Sequence, residues 1–398
     1  MYLESMYKLG AQPSPIRELF NYGQQQAQLV GRDNVYDFTL GAPSAPPPEE
    51  VTEAYLRLIR EENPSALHTY TISPGRRETR EAVAEDLNQR FSAGIRAEHI
   101  YMTCGAAAAI VASIKALSVS HKTEIIAMAP FFPEYRNWVE SKGSKLVVTP
   151  AAPDFRLNIS ALDAAITENT QAIIINSPNN PSGKIYTREE LGELAQLLTR
   201  RSADVGHVIY LISDEPYREL AYDGMEVPFL PLIYPNTIVC YSWSKSFALP
   251  GERIGYVLVP PQAEDSRELF LAISGAARSL GYVCAPAMTQ RVIEACAGIR
   301  PELATYEENR QKLYQGLRQI GYEAVYPNGA FYLFVKAPNG DGQVFSNLAK
   351  EKNVLIPAGA GFGCPSYVRI SYCVPTARIE KSLEIFRDLY QEAATLMG

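Results

Sequence analysis

The chain has 398 residues, a formal net charge of −7, and 46% hydrophobic against 20% charged residues. That length allows two or three domains, and the balance is that of a globular rather than a disordered chain. The acidic excess argues against a nucleic-acid surface, and the four histidines lack the paired spacing of a metal site.

Six cysteines, at 104, 240, 284, 296, 364 and 373, form no CxxC pair and are expected to be free thiols in a cytoplasmic protein. The opening Met1–Ser5 lacks the basic and apolar regions of a secretory signal. No apolar run reaches membrane-spanning length.

Ser14-Pro15 predicts a helix start, with a hydroxyl cap followed by proline at the first helical position. Val35–Leu40 is a short strand candidate. Gly41 to Pro48 is a proline-rich connector, and Glu49–Glu61 is an amphipathic helix. A long alternation follows. Strands are predicted at Ile100–Met102, Glu124–Met128, Lys145–Val148, Ala172–Ile175, Val208–Ile212, Thr237–Tyr241 and Arg253–Val259. Helical patterns fall between them at Ala107–Ser118, Glu134–Lys142 and Arg188–Thr199. Continuous apolar strands alternating with helices predict a mostly parallel seven-stranded sheet covered on both faces.

Past Pro260 the pattern is helical, including Pro301–Ile320. Strands then recur at Gly329–Val335, Val354–Ile356 and Tyr367–Tyr372, before a helix over Thr376–Met397. The expected fold class is α/β: a large domain at 46–299, and a smaller α+β domain from 1–45 and 300–398.

Polar clusters close several of the predicted strands, where open α/β sheets bind ligands. Ser242-Trp-Ser-Lys245 follows one of them, with Arg253 close behind. A lysine amine can form a Schiff base with a carbonyl, and a neighbouring arginine both lowers its pKa and binds phosphate. Ser242 adds a neutral hydrogen bond. Thr103-Cys-Gly105-Ala106-Ala107 opens a helix with small residues, which lets backbone N–H groups approach a phosphate.

Asp214-Glu-Pro-Tyr217 places an acid at the end of an apolar strand, where it is costly unless paired or used. Asn180, in a turn rich in Asn and Pro, offers an amide to a phenolate oxygen. Phe132, an aromatic at a sheet edge, is a core residue or one that stacks on a flat ring, and Arg369, within an apolar strand, is an exposed-face residue or a carboxylate clamp. No GxGxxG or GxxxxGK occurs, which argues against nucleotides.

Together and in this order, the motifs resemble the fold-type I pyridoxal-phosphate aminotransferases of the aspartate aminotransferase superfamily, over nearly the whole chain. They are Leu40-Gly41, Tyr70 to Gly75 with Arg80, Gly105-Ala-Ala107, Pro130-x-Phe132-x-x-Tyr135, Asn180-Pro-Ser-Gly183, Asp214-Glu-Pro-Tyr217, Ser242-x-Ser-Lys245, Arg253-x-Gly, Gly329-Ala-Phe-Tyr332 and Arg369-Ile-Ser-Tyr372.

The resemblance implies pyridoxal 5'-phosphate as cofactor, with Lys245 as its covalent anchor and general base. Asp214 would pair with the pyridine nitrogen. Asn180 and Tyr217 would hold the ring oxygen, and Phe132 would stack on the ring. Gly105, Ala106, Ala107, Ser242 and Arg253 would bind the phosphate. Tyr70 would reach the phosphate of a neighbouring subunit in a homodimer. Gly41, Asn180 and Arg369 would contact an amino acid or 2-oxo acid substrate.

The chain departs from the usual pattern at Phe132, where Trp or Tyr is commoner, and at Ala106 and Ala107, which lack a phosphate-binding hydroxyl. A ping-pong amino transfer is the leading expectation. A β-lyase acting on a β-substituted amino acid shares the same cofactor residues. A regulatory binding domain on this fold is disfavoured by the intact Lys245.

Overall fold

A computed structural model describes residues 2–11 and 14–396; Met1, Gln12, Pro13, Met397 and Gly398 lie outside it. Its strands are β1 (Tyr36–Asp37), β2 (Ile100–Thr103), β3 (Glu124–Ala129), β4 (Lys145–Pro150), β5 (Thr170–Asn176), β6 (Tyr210–Asp214), β7 (Thr237–Ser242), β8 (Gly255–Leu258), β9 (Tyr332–Lys336), β10 (Val354–Leu355) and β11 (Tyr367–Ser371). Seven of them form one sheet in the order β2-β8-β7-β6-β5-β3-β4. Only β8 runs against its neighbours, β2 and β7; the other pairs are parallel.

The central strands are apolar throughout. Ile173, Ile174, Leu211, Ile212, Ile238 and Val239 are all buried. Such strands need cover on both faces. Ile110, Ile114, Ile273 and Ala277, from helices Ala106–Leu117 and Ser266–Ser279, share one core with the sheet. Leu191, Leu194 and Leu198 of helix Arg188–Val205 pack with Ile173 and Leu211 in another. Val83, Leu87, Val292 and Ile293 join a third core beside β2, β7 and β8.

The predicted strand over Arg253–Val259 begins only at Gly255. Ser242 leaves β7 to cap a short helix at Trp243–Ser246, so no ladder partner stands opposite Arg253. Arg253 instead takes a left-handed backbone, with φ of +53°. Helix Arg77–Phe91 carries no clear apolar stripe because Thr79 and Arg80 occupy part of its buried face. Arg80 is satisfied there by donating to the carbonyls of Gly75 (3.1 Å) and Ala97 (2.7 Å).

A separate core gathers Leu313, Leu317, Phe331, Val335, Phe345, Val368, Ile370 and Phe386. Phe38 from the N-terminal segment belongs to it as well. Only Tyr36–Asp37 of the expected Val35–Leu40 strand pairs as a strand, parallel to β10. Further along, the Phe38 carbonyl accepts from the Ser371 amide at 3.1 Å. The segment is therefore wedged between β10 and β11, and residues 39–41 continue from it towards the strand ends of the large sheet. The last helix runs over Thr376–Thr395.

Candidate active site

A cleft of about 1070 Å³ opens where the strands of the large sheet end. Its volume is at the upper end for ligand sites and gives room for more than one small molecule. The carboxyl ends of β2, β5, β6 and β7 deliver Ala106, Asn180, Asp214 and Ser242 to it. Because β8 is reversed, its amino end lies at the same edge, and Arg253 arrives there too.

Lys245 stands one turn into the helix capped by Ser242, whose Oγ accepts from the Ser244 amide at 3.1 Å. Its Nζ donates to the Gly41 carbonyl at 2.6 Å and lies 5.8 Å from the Phe331 ring centroid. Burial, with Arg369 and Arg253 nearby, lowers the Lys245 ammonium to about 8.

Asp214 is buried at 6% exposure. Tyr135 donates to its Oδ2 at 2.5 Å, while Oδ1 has no partner among the described residues. Burial raises the carboxyl to about 7, Glu215 adds to that rise, and the Tyr135 hydrogen bond and Lys245 oppose it. A buried carboxylate oxygen left bare in a cleft is an acceptor waiting for a cationic N–H.

Asn176 ties the floor together. Its Nδ2 donates to the Asp214 carbonyl and its Oδ1 accepts from the Asn180 amide, both at 2.7 Å. Arg369 Nη1 donates to Asn180 Oδ1 at 3.0 Å, which leaves Nδ2 as that side chain's remaining donor. Arg369 Nη2 donates to the Thr39 carbonyl, and its Nε is buried without a partner among the described residues. The guanidinium lies over Tyr332 at 4.6 Å and Phe362 at 5.1 Å. No carboxylate pairs with it among the described residues, so a buried cation is left facing the cleft.

Gly105 caps helix Ala106–Leu117 with a φ of +84°, and an added Cβ would meet Arg253 Nη2 at 3.0 Å. Arg253 thereby lies against the start of that helix, and its Nη2 donates to the Cys104 carbonyl at 3.3 Å. Cation and helix terminus form one anion-binding corner.

The structure brings together Gly41, Ala106, Ala107, Phe132, Asn180, Asp214, Tyr217, Ser242, Lys245, Arg253 and Arg369 as cleft-lining residues. Gly105 shapes the corner without lining it. Tyr70 stands apart, 94% exposed and outside the cleft of its own chain. The sequence assigns no role to Tyr135, Asn176 or Tyr332: Tyr135 and Tyr332 act through contacts distant along the chain, and Asn176 joins the nearby Asn180 amide to Asp214, 38 residues away. The helix Pro15–Val30 was seen only by its start; its Arg17, Leu19 and Tyr22 line the outer cleft.

The family model for aminotransferase class I and II matches residues 33–386. The chain belongs to this family. An amino transferase from Eubacterium rectale has a crystal structure that is 48% identical, covers 99% of both chains and superposes with a TM-score of 0.96. Thermus thermophilus aspartate aminotransferase with maleate is 27% identical over 95% of this chain and 97% of its own, with a TM-score of 0.83. The aromatic-amino-acid aminotransferase 2 of Thermococcus litoralis is 30% identical over 396 residues, 96% of each chain.

As a family member the chain is an aminotransferase, on the α/β fold expected from its sequence. The relatives favour amino transfer over β-elimination. Class I and II aminotransferases are generally pyridoxal-phosphate-dependent, and they act on amino and 2-oxo acids. Among the described residues, no helix is long and apolar enough to cross a membrane.

Proposed function

We propose that this aminotransferase uses pyridoxal 5'-phosphate to exchange an amino group between an L-amino acid and a 2-oxo acid. The observation that carries the reading is the bare, buried Oδ1 of Asp214, in a cleft shared with a lysine and an arginine corner. When bound, the cofactor supplies an aldehyde and a ring that takes up electrons from the substrate carbon.

The residues present fit that group. Lys245 would anchor it. Asp214 Oδ1 would accept the ring N–H, and Tyr135 holds the carboxylate in place from its other oxygen. Asn180 and Tyr217 would donate to the ring oxygen, with Phe132 on the ring face. Arg253, Ser242 and the backbone at Gly105, Ala106 and Ala107 would hold the phosphate.

The free Lys245 amine, half-neutral near pH 8, would serve as the base that takes up the proton from the substrate carbon. Arg369 would clamp the carboxylate common to donor and acceptor, with Gly41 lining the opposite side. Selection among side chains falls to the outer cleft, where Leu19 and Tyr22 present apolar surface and Arg17 a cation.

The same reading includes the division into 46–299 and 1–45 with 300–398, supported by the core that Phe38 shares with the C-terminal elements. It includes a cytoplasmic homodimer in which Tyr70 completes the neighbouring site. The exposure of Tyr70 and Ile72, at 94% and 61%, supports a surface that meets a partner. The six free thiols are in keeping with a reducing compartment.

A panel of amino acids assayed with 2-oxo acid acceptors tests the reading. At least one pair is expected to turn over, and the Arg369→Lys variant should raise KM for every active pair by roughly 10–100-fold, because Lys lacks the forked donor. Turnover with no pair would overturn it. An R369K effect confined to one substrate would remove the shared-carboxylate role.

A further inference from the structure

Tyr332 opens β9 with its side chain buried at 2% exposure, yet it lines the cleft. Three contacts converge on it. Its hydroxyl lies 2.8 Å from that of Tyr217. Its ring supports the Arg369 guanidinium at 4.6 Å. Its hydroxyl also fills the space beside Gly41, where an added Cβ would come within 1.7 Å of it and 2.6 Å of the ring carbon Cζ. The carbonyl of that same glycine holds Lys245 Nζ.

We propose that Tyr332 is a positioning residue that sets the direction of the Tyr217 hydroxyl proton and seats Gly41 against Lys245. The inference rests on the reading that Tyr217 donates to the cofactor's ring oxygen. Each phenol carries one proton. With the Tyr217 proton committed to the ring oxygen, only Tyr332 can supply the one between the two hydroxyls. A phenol that accepts a hydrogen bond becomes a stronger donor.

Stronger donation to the ring oxygen stabilises negative charge there. That lowers the proton affinity of the nitrogen which Lys245 contributes nearby. The titratable and charged groups around Tyr217 and Lys245 are Tyr135, Asp214, Arg253, Arg369, Cys373 and Tyr332 itself.

The test uses the cofactor-loaded parent and its Tyr332→Phe variant, which keeps the ring under Arg369. The readouts are the pH midpoint of the lysine-bound cofactor's absorbance, kcat and KM. The midpoint is expected to rise by roughly half a pH unit, as one of two coupled hydrogen bonds is lost. Alongside it, kcat should fall roughly three- to tenfold while KM stays within about twofold.

A midpoint within about 0.1 unit of the parent's would overturn the inference, as would a raised KM with unchanged kcat. Gly41→Ala gives the second arm. It should cost more in the parent than in a Tyr332→Ala background, where the overlapping hydroxyl is gone; additive losses would overturn the seating role. A parent protein that never develops the lysine-bound absorbance would defeat the cofactor reading itself. An unshifted midpoint in a loaded variant defeats only the role of Tyr332.

Discussion

Lys245→Ala is expected to lower kcat by roughly 10⁴-fold or more while the fold persists. The fold should persist because, among the described residues, the side chain makes a single hydrogen bond, to the Gly41 carbonyl, and it lies at the cleft rather than within a core. The activity falls because, among the described cleft residues, no other base is placed to replace it: Asp214 holds Tyr135 with Oδ2 and would hold the ring N–H with Oδ1, and Arg253 and Arg369 have no acceptor capacity.

A pH dependence accompanies this result. An ordinary lysine near 10.4 is almost wholly charged at neutral pH. At about 8, roughly one Lys245 amine in ten is neutral at pH 7. The rate of cofactor attachment to the cofactor-free protein should rise roughly tenfold per pH unit below 8 and level off above it. A rate still climbing at pH 10 would show that the cleft does not depress this lysine.

The Asp214→Asn variant should show the opposite balance, a more stable protein with little activity. The folded carboxyl titrates near 7, while the unfolded one titrates near the usual 3.9. Below about pH 3 both states are protonated and the residue costs nothing. Between about 3 and 7 the unfolded state ionises first, so stability falls as pH rises. Above 7 the full penalty is present. Asparagine removes it, and its Oδ1 can still accept from Tyr135.

The new amide N–H, left facing the bare position, offsets part of the gain. The cofactor-free variant should therefore gain about 1–3 kcal/mol at pH 8 and little at pH 4. Activity should drop roughly 10²–10³-fold, the loss expected when a preorganised charge is removed. Denaturant melts of the cofactor-free proteins at the two pH values check the first part. Equal stability at pH 8 would contradict the account of Asp214, as would full activity.

Much of this site was legible because strand ends are local features. The apolar runs before Asp214 and before Ser242–Lys245 mark two central strands, and in a parallel sheet their ends must share an edge. Arg253 was legible as the first residue of the predicted strand Arg253–Val259, although the true start of β8 at Gly255 and its reversal, which brings Arg253 back to that edge, are tertiary facts. Gly105 with its alanines was legible as a helix start.

The partners that tune the site were not legible. Tyr135 meets Asp214 across 79 residues of chain, and Tyr332 meets Tyr217 across 115. No local pattern encodes either pairing. A tyrosine in an apolar context reads as core, and both are indeed buried. Helix Arg77–Phe91 escaped for a different reason. A buried arginine capped by two backbone carbonyls breaks the apolar period by which amphipathic helices are found.

Lys245 and Asp214 together would make this cleft a site of amino transfer. A single-turnover reaction tests it most directly, with cofactor-loaded protein and one active amino donor in the absence of any 2-oxo acid acceptor. The expected result is one equivalent of the matching 2-oxo acid per subunit, no free ammonia, and the amino group retained on the cofactor until an acceptor is added. Continued release of 2-oxo acid and ammonia without acceptor would contradict it and show elimination in place of transfer.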